Sequence, residues 1–330
     1  MRILVTNDDG VYSPGIAALA EVAARFGQTR IVAPHVEMSS AAHSITASRP
    51  QTYKRTPLRD AQVEAYRVNG TPADCVALGM YHWEHVDVVL SGINLGSNLG
   101  NALWHSGTLA AAQQAALLGV RGIAVSTPVP EGEPDFNVLK PWAARVLELL
   151  LPAKDLCLVN VNLPAKAPRG VLWTRQSVRH YDGKVVPGKD PMGRINYWFT
   201  VVPIEAVEEG TDRWAIEQGY VSMTPLRLDL TDEKALTEVA RQHPVSKISF
   251  AAARSRSLYA GLPCGTWSWP AATDQPGDQR SDEQHQEDEE QDLRDRSRAG
   301  GDAAEAEYRR EDRDDEEHES VVKHRLSFPS

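Results

Sequence analysis

The chain begins Met1-Arg-Ile-Leu-Val-Thr-Asn-Asp-Asp-Gly10, a short apolar run followed by two adjacent carboxylates. The segment from Arg2 to Thr6 is largely apolar and rich in β-branched residues, which predicts a buried strand of a parallel sheet. In an open α/β sheet, ligands bind in the loops that follow the carboxyl ends of strands. Asp8 and Asp9 lie in such a loop and repel each other, so a hard divalent cation is a suitable partner. The same residues also form turns readily, and this stretch alone leaves both interpretations open.

Strand and helix patterns alternate through the first two thirds of the chain, which is typical of βαβ units. After the first strand, short β-branched runs predict strands at 29–34, 63–68, 86–90, 122–126 and 156–163. Apolar residues at helical spacing predict helices at 14–26, 71–80, 105–118 and 138–151. At the start of the second of these helices, Thr71 and Asp74 predict a capping box. The predicted fold class is therefore α/β, a Rossmann-like three-layer αβα sheet.

The pattern changes beyond residue 165, where extended segments replace the alternation. Alternating residues at 171–178 and 195–202 flank a polar loop and predict a protruding β-hairpin or meander. A C-terminal extension follows, with a further predicted strand at 219–224 and a last helix at 232–242.

The last quarter of the chain differs in composition from the rest. Residues 271–320 contain twenty acidic and seven basic side chains, so the other residues sum to +3 within the total charge of −10. Such a segment buries too little apolar surface to offset its ordering entropy. We predict one domain over residues 1–244, with a core over about 1–165 and hairpin and C-terminal segments over about 166–244, followed by a disordered acidic tail over 245–330. The near-neutral charge of the body is not that of a nucleic-acid-binding surface.

No targeting or membrane-spanning segment is recognisable. The chain contains no run of eighteen apolar residues, and its start lacks the apolar stretch and cleavage site of a signal peptide. We therefore expect a cytoplasmic protein that binds neither membrane nor nucleic acid.

A second loop with metal and phosphate chemistry is Ser91-Gly-Ile-Asn-Leu-Gly-Ser-Asn-Leu-Gly100, which follows a predicted buried strand. Its three glycines allow backbone N–H groups to converge on an anion. Asn94 and Asn98 offer side-chain oxygens for a hard metal and amide donors for phosphate. A flexible loop that uses Asn and Gly for left-handed conformations is the alternative, and the position after a strand favours a site.

The run Ser106-Gly107-Thr108 begins an alanine-rich helix. Free N–H groups and the positive end of the helix dipole make a helix start a natural anion site, and two hydroxyls strengthen it. An ordinary Ser or Thr N-cap is the alternative. Ser39 and Ser40, in the loop after the second strand, offer a neutral oxygen to the same site. No Gly-x-Ser-x-Gly motif marks either serine as a nucleophile.

Several separated motifs occur together in this chain. They are Leu4-Val-Thr-Asn-Asp-Asp-Gly10, Val32-Ala-Pro34 with Ser39, Val68-Asn-Gly-Thr-Pro-Ala-Asp-Cys-Val76, Ser91 to Gly100, Ser106-Gly-Thr108 and Gly219-Tyr-Val-Ser-Met-Thr-Pro-Leu226. In this order they resemble the stationary-phase survival protein SurE family of metal-dependent 5'-nucleotidases, from Met1 to about Pro244. The resemblance implies hydrolysis of nucleoside 5'-monophosphates, with 3'-nucleotides and short polyphosphate as further candidate substrates.

The resemblance also implies site residues and partners. For one divalent cation per subunit, Mg²⁺ or Mn²⁺, the implied ligands are Asp8, Asp9, Ser39 and Asn94. The two aspartates are also the implied catalytic carboxylates. The implied residues for binding the substrate phosphate are Asn98, Ser106, Gly107 and Thr108. Family members are described as dimers or tetramers with exchanged C-terminal segments, for which residues 171–202 and 210–224 are the candidates here.

The chain departs from the family pattern in three places. After the second strand it has Pro34-His35-Val36 where the family commonly has Pro-Asp-Arg, which removes an acid and a base from the loop. Ser40 stands where glycine is common, and it restricts the loop backbone. Residues 245–330 have no counterpart in the family.

Two other interpretations remain open. A haloacid-dehalogenase-type phosphatase also carries an aspartate after its first strand, but it needs Asp-x-Asp. Asp8 and Asp9 are adjacent instead, so they point to opposite sides of an extended loop. The second interpretation is a non-catalytic nucleotide-binding or scaffold protein whose acidic tail recruits basic partners. Turnover of a nucleotide separates the enzymes from the scaffold.

Overall fold

A mixed sheet with helices on both faces forms the fold of the described residues. The computed structural model describes residues 1–58, 63–129, 135–178, 181–203 and 207–243. The predicted acidic tail, 245–330, lies outside the described residues, so its disorder stays a prediction. The predicted α/β class, a three-layer αβα sheet, is confirmed.

Nine strands form the main sheet among the described residues, and two form a separate ribbon. In chain order the strands are β1 (Arg2–Thr6), β2 (Gln28–Pro34), β3 (Tyr53–Arg55), β4 (Glu64–Val68), β5 (Val88–Leu95), β6 (Arg121–Thr127), β7 (Leu158–Asn162), β8 (Val171–Trp173), β9 (Tyr181–Lys189), β10 (Ile195–Pro203) and β11 (Val221–Pro225). The main sheet has the order β3-β4-β2-β1-β5-β6-β7-β11-β8. The neighbouring strands in the run β4-β2-β1-β5-β6-β7 are all parallel. At the two ends of this run, β3 is antiparallel to β4 and β11 is antiparallel to β7.

Helices lie on both faces of this sheet. The helices of the described ranges are α1 (Pro14–Ala23), α2 (Pro72–Tyr81), α3 (Gly107–Leu117), α4 (Phe136–Leu150), α5 (Asp212–Glu217) and α6 (Glu233–Gln242), of which α6 buries no residue, and a 3₁₀ helix (Gly100–His105) precedes α3. Helices α1 and α4 pack together in one layer, and α2 and α3 pack together in another. The capping box at the start of α2 is confirmed, because the Thr71 hydroxyl accepts the Asp74 N–H while the Asp74 carboxylate accepts the Thr71 N–H.

The residues of β1 show why this strand is central. Ile3 and Val5 belong to the core cluster that contains the side chains of α1 and α4. Leu4 belongs to the opposite cluster, with apolar residues of α2 and α3. Because successive side chains of a strand point to opposite faces, an unbroken apolar run is buried on both sides.

The C-terminal ribbon differs from its prediction. A β-hairpin is present, but its strands are β9 and β10, so the predicted pairing of 171–178 with 195–202 is wrong. The first of these segments supplies β8 instead, which pairs in parallel with β11. The segment of β9 contains Pro187 and Gly188, which are typical of a loop, yet a two-stranded ribbon tolerates proline because its outer edge needs no donor.

Candidate metal and phosphate site

The ends of β1 and β5 bring the adjacent carboxylates beside the glycine-rich loop. The two strands pair in parallel with Thr6 opposite Ser91, so Asp8 and Asp9 follow β1 at the edge where β5 also ends. The backbone N–H of Leu95, the last residue of β5, donates to Asp9 Oδ2 at 3.4 Å. The glycine-rich loop therefore starts with its backbone against the second carboxylate.

Helix α3 begins against the first carboxylate. The hydroxyl of Thr108 donates to Asp8 Oδ1 at 2.5 Å, and the two residues are 0% and 5% exposed. A methyl group built on Gly107 would lie 2.9 Å from Asp8 Cβ, which is closer than carbon atoms approach without strain. Glycine at position 107 therefore allows the helix start to rest directly on Asp8.

The turn after β1 is held by Asn7. Its Nδ2 donates to the carbonyl of Gly10 at 3.1 Å and to the hydroxyl of Ser13 at 2.7 Å. Gly10 has a left-handed φ of +93°, which a glycine adopts without steric cost. The turn and site interpretations of this stretch are thus compatible, because Asn7 shapes the turn and leaves the carboxylates of Asp8 and Asp9 for other partners.

The loop after β2 closes over the same edge of the sheet. The N–H of Met38 donates to the backbone carbonyl of Asp8 at 2.7 Å. The N–H of Ala42 donates to the carbonyl of His105 at 3.2 Å, just before α3. Ser39 lies between these two anchors, so the loop is held at the site on both sides of this serine.

Glu37 is a third carboxylate near the pair, and sequence analysis missed it. It accepts the hydroxyl of Ser39 at 2.5 Å, and its charge helps to raise the pKa values of both Asp8 and Asp9. The hydrogen bond directs the serine proton to Glu37 and leaves the lone pairs of the Ser39 oxygen for a cation.

Asn94 lies where β5 leaves its regular register with β6. The pairing shifts between Ser91 and Asn94, and Asn94 is paired with Ser126. The residue is 9% exposed, and its Nδ2 donates to the carbonyl of Gly96 at 2.6 Å. Because the nitrogen serves as the donor here, Oδ1 is the atom of Asn94 that is left to coordinate a cation.

Burial and mutual repulsion make the two carboxylates costly to ionise. Burial, with a contribution from Glu37, raises the pKa of Asp8 although Thr108 donates a hydrogen bond to it. Burial and the neighbouring charge of Asp8 raise the pKa of Asp9 to about 6. A divalent cation relieves this repulsion because it places positive charge next to both groups.

The donor set fits a hard divalent cation. Asp8, Asp9, Asn94 and Ser39 supply carboxylate, amide and hydroxyl oxygens, which Mg²⁺ and Mn²⁺ accept. In the part of the chain that is described, no group of three or more His, Cys, Asp or Glu side chains is arranged to hold a metal ion. The four residues that would hold a cation here supply oxygen ligands alone.

Asp9→Asn is expected to stabilise the metal-free protein at neutral pH. The pKa of about 6 in the folded protein exceeds the ordinary value of 3.8, so the folded state binds more protons than the unfolded state between these values. The contribution of Asp9 to stability is therefore lost as the pH rises from about 4 to about 6. Both melting temperatures are measured in the presence of chelator. The melting temperature of the variant minus that of the wild type should increase as the pH rises over this interval. A gap that narrows as the pH rises would contradict the assignment.

Ser106 caps α3, as the N-cap interpretation predicted. Its hydroxyl accepts the Leu109 N–H at 3.0 Å. The N–H groups of Gly107 and Thr108 belong to the first turn, where the helix provides no carbonyl partner. The N–H of Thr108 also hydrogen bonds to the Asp8 carboxylate, so the N–H of Gly107 and the positive end of the helix dipole remain for an anion.

Asn98 is more deeply buried than its predicted role as a phosphate ligand suggests. It is 7% exposed, and its Nδ2 donates to the hydroxyl of Ser126 at 2.8 Å. The second hydrogen of this amide nitrogen remains for a phosphate oxygen. Asn160 and Asn162, which hold the backbone of residue 98 from β7, are residues that sequence analysis did not associate with the site.

Asp212 anchors the end of the glycine-rich loop. Its carboxylate is fully buried and accepts the N–H of Gly100 at 2.9 Å, of Ser177 at 2.9 Å and of Arg213 at 2.8 Å. The side-chain amide of Gln176 donates to the carbonyl of Gly100 at 2.9 Å. Both backbone groups of Gly100 are therefore paired, so this end of the loop is fixed rather than flexible. Sequence analysis missed all of these anchors.

Ser40→Gly is expected to stabilise the protein slightly. Ser40 has a left-handed φ of +59°, and an L-residue in this conformation bears a steric cost of about 1–2 kcal/mol that glycine avoids. After the larger unfolded-state entropy of glycine is subtracted, a gain of about 0.5–1 kcal/mol remains, or about 1–4 °C in melting temperature. Ala41→Gly is the matched control, because its φ is not left-handed, and it should lower the melting temperature. Equal shifts in the two variants would show that Ser40 bears no such strain.

Comparison with known proteins identifies the family. The sequence model of the family described as Survival protein SurE matches residues 3–183, more than half of the chain. The chain belongs to the SurE family. The SurE resemblance predicted from the motifs is thereby confirmed.

Curated SurE relatives match over nearly their whole length. A protein of Thermus thermophilus named 5'-nucleotidase SurE 1 is 46% identical over 236 residues, which covers 70% of this chain and 93% of the relative. A protein of Deinococcus radiodurans named 5'-nucleotidase SurE is 40% identical over 255 residues, which covers 74% of this chain and 93% of the relative. These SurE proteins therefore match this chain across the segments that build the site.

A solved SurE structure shares the fold. The crystal structure of the SurE protein from Aquifex aeolicus is 36% identical in sequence and superposes with a TM-score of 0.63, covering 73% of this chain and 99% of that chain. No helix within the described ranges is long and apolar enough to cross a membrane.

Proposed function

We propose that this SurE protein hydrolyses nucleoside 5'-monophosphates in a metal-dependent reaction. The observation that carries the proposal is the hydrogen bond between Thr108 and Asp8, which joins a pair of cation-binding carboxylates to the anion-binding start of α3. A phosphate monoester and its cation need both features side by side. Relatives named 5'-nucleotidase, at 46% and 40% identity, support hydrolysis of phosphoric monoesters as the class of activity.

One divalent cation per subunit, Mg²⁺ or Mn²⁺, is assigned to the oxygens of Asp8, Asp9, Ser39 and Asn94. When bound, the cation supplies Lewis-acid charge to the phosphate oxygens. The raised pKa values of the Asp8 and Asp9 carboxyl groups support this assignment, because the two side chains repel each other without a cation.

Side chains and backbone N–H groups of this protein bind the phosphate, and a carboxylate accepts the proton of the attacking water. The assigned phosphate-binding residues are Asn98, Ser106, Gly107 and Thr108. Their N–H groups, with the helix dipole, stabilise the charge that the transferring phosphoryl group spreads over its oxygens. Asp9 is more open to solvent than Asp8, so its carboxylate is the group that accepts the proton of the attacking water. Asp8 holds Thr108 and thereby the start of α3.

The rival mechanisms lack a supporting contact. A phospho-aspartate route requires a nucleophilic carboxylate in an Asp-x-Asp motif. In this chain the two aspartates are adjacent, and Asp8 Oδ1 accepts a hydrogen bond from the Thr108 hydroxyl. Trapping of a phospho-aspartate would support that route. Tight nucleotide binding without turnover would support the scaffold alternative. The backbone N–H groups bind a terminal phosphate and make no contact with a base. For this reason 3'-nucleotides and short polyphosphate remain candidate substrates.

Self-association through the β9–β10 ribbon and the C-terminal segment is the proposed partner interaction, as a dimer or tetramer. The ribbon carries apolar side chains that are largely exposed in one chain, at 64% for Val185, 70% for Tyr197 and 65% for Trp198. Clusters of exposed apolar side chains of this kind mark interaction surfaces.

The test of the proposed function is phosphate release from AMP and GMP by the purified protein. Activity is expected to disappear after treatment with chelator and to return when Mn²⁺ or Mg²⁺ is restored. A panel that adds 3'-AMP and short polyphosphate measures the substrate range under the same conditions. Activity that is indifferent to chelator would exclude the metal-dependent mechanism, and absence of turnover would leave the scaffold alternative.

A further inference from the structure

We infer that Asn162, assisted by Asn160, is a positioning residue that fixes residue 98 for phosphate binding. The inference rests on the proposed function, in which the side chain of Asn98 contacts the substrate phosphate. Both positioning residues lie on β7, are fully buried and hydrogen bond to the backbone of the glycine-rich loop.

The side chain of Asn162 pairs with both backbone groups of residue 98. The N–H of Asn98 donates to Asn162 Oδ1 at 2.9 Å, and Asn162 Nδ2 donates to the carbonyl of Asn98 at 2.9 Å. A neighbouring β-strand would offer the same pair of hydrogen bonds, so the side-chain amide takes the place of a strand beside the loop. Residue 98 cannot rotate or slide without breaking both bonds.

Two further hydrogen bonds hold the same residue. Asn160 Nδ2 donates to the carbonyl of Asn98 at 2.8 Å, and Asn98 Nδ2 donates to the hydroxyl of Ser126 at 2.8 Å. The backbone and the side chain of Asn98 are therefore fixed from two adjacent strands, β7 and β6. This arrangement orients the amide so that its remaining hydrogen is the one available to a phosphate oxygen.

One acceptor of this cluster adds no protein hydrogen bond to the stability of the fold. Asn160 Oδ1 is buried and has no hydrogen-bond partner among the described residues. A buried acceptor without a partner lowers stability, and an apolar side chain of the same shape would remove this cost. The hydrogen bond that Asn160 donates to residue 98 is what an apolar side chain would not provide.

Residue 98 lies between the two halves of the site. Asn94, the assigned cation ligand, is four residues earlier, and Gly100 begins the 3₁₀ helix that leads to Ser106. Fixing the peptide group of residue 98 therefore fixes the spacing between the cation ligand and the phosphate-binding start of α3. A loosened peptide group at residue 98 is expected to weaken phosphate binding more than cation binding, because Asp8 and Asp9 are held independently on the loop after β1.

The test compares Asn162→Leu and Asn160→Leu with Thr224→Val in the full-length protein. Leucine has the branched shape of asparagine without its hydrogen bonds. Thr224 is the matched control, because it is paired with Asn160 in the β7–β11 register and its buried hydroxyl bonds to Thr174 at 2.7 Å. The dissociation constant for inorganic phosphate at saturating Mn²⁺, the dissociation constant for Mn²⁺ and the melting temperature are measured for each protein.

Asn162→Leu is expected to weaken phosphate binding about tenfold or more and to change Mn²⁺ affinity by less than about twofold. Asn160→Leu should weaken phosphate binding less, because Asn162 still serves the same carbonyl. Its melting temperature should be unchanged or higher, since the unpaired oxygen is gone. Thr224→Val should lower the melting temperature and leave phosphate binding unchanged.

Phosphate binding that is equally tight in Asn162→Leu and wild type would overturn the inference, and so would an equal loss in Thr224→Val. Parallel losses of phosphate and Mn²⁺ affinity would also overturn it. A wild-type protein that binds Mn²⁺ but no phosphate would overturn the proposed function together with the inference. If Asn162→Leu does not fold, Asn160→Leu decides: weaker phosphate binding at an undiminished melting temperature supports the inference, and unchanged binding refutes it.

Discussion

Asp8→Asn is expected to lower metal-dependent phosphate release by about a thousandfold or more. Asparagine keeps an oxygen that accepts the Thr108 hydroxyl, so the packing of α3 against this residue is retained while the negative charge is lost. A cation at such a site contributes several kcal/mol to stabilising the transition state, and about 1.4 kcal/mol corresponds to a factor of ten. The measurements are kcat/KM for AMP and the dissociation constant for Mn²⁺.

Asp155→Asn is the matched control for this variant. Asp155 is exposed in the loop before β7, and the substitution changes the net charge by the same amount. Its activity should stay within about twofold of the wild type, as for surface changes away from a site. Metal-free Asp8→Asn should melt at or above the temperature of the wild type, because burial raises the pKa of Asp8 and so makes its charge unfavourable at neutral pH. More than a tenth of wild-type activity in Asp8→Asn would contradict the proposed mechanism.

Local patterns predicted the parallel part of the fold because each of its units is built from sequence neighbours. The apolar run of β1 follows directly from its burial on both faces. The capping box of Thr71 and Asp74 joins residues three apart, so residue type and spacing suffice to predict it. The loops that follow parallel strands meet at the carboxyl edge of a sheet, and this rule is enough to predict Asp8 and Asp9 beside the glycine-rich loop.

Pairings between distant segments were not predictable in the same way. The strand β8 pairs with β11, with Leu172 opposite Ser222, rather than with the segment of β10 that follows it. Both choices satisfy the alternation of an extended segment, and only the free edge of β11 in the folded sheet decides between them. Residue type indicated an extended conformation here, whereas tertiary context selected the partner.

The same limit explains which parts of the site were found. Asp8 and Asp9 stand out because they are adjacent in the sequence and directly follow a predicted strand, where ligands bind in open α/β sheets. The side chains that hold the loop do not stand out, since the Asn98–Asn162 contact spans 64 residues and the Gly100–Asp212 contact spans 112. A hydrogen bond from a buried side chain to a distant backbone group leaves no periodic signal in the sequence.

Gly107→Ala is expected to damage both the fold and the site. The added methyl group would lie 2.9 Å from Asp8 Cβ and 3.0 Å from Asp8 Oδ2, and the Cβ atom cannot move away without its backbone. Overpacking of this kind costs about 1–3 kcal/mol, against a gain of up to about 1 kcal/mol from the better helix propensity of alanine. The expected net result is a melting temperature lower by about 2–8 °C. Because displacement of reacting groups by about 1 Å costs about a hundredfold in rate, activity should fall at least that far.

Gly170→Ala is the control, since its added methyl group would meet the Tyr220 ring at an ordinary 3.5 Å. This control should leave both the melting temperature and the activity close to the wild-type values. Gly107→Ala and Asp8→Asn should both lose activity, but only Gly107→Ala should lose stability without metal. The charge of Asp8 lowers the stability of the folded protein, whereas the close packing of Gly107 against Asp8 raises it. Opposite shifts in the melting temperatures of the two variants would therefore separate the electrostatic role of the carboxylate from its packing against α3. Wild-type stability and activity in Gly107→Ala would mean that the start of α3 does not rest on Asp8.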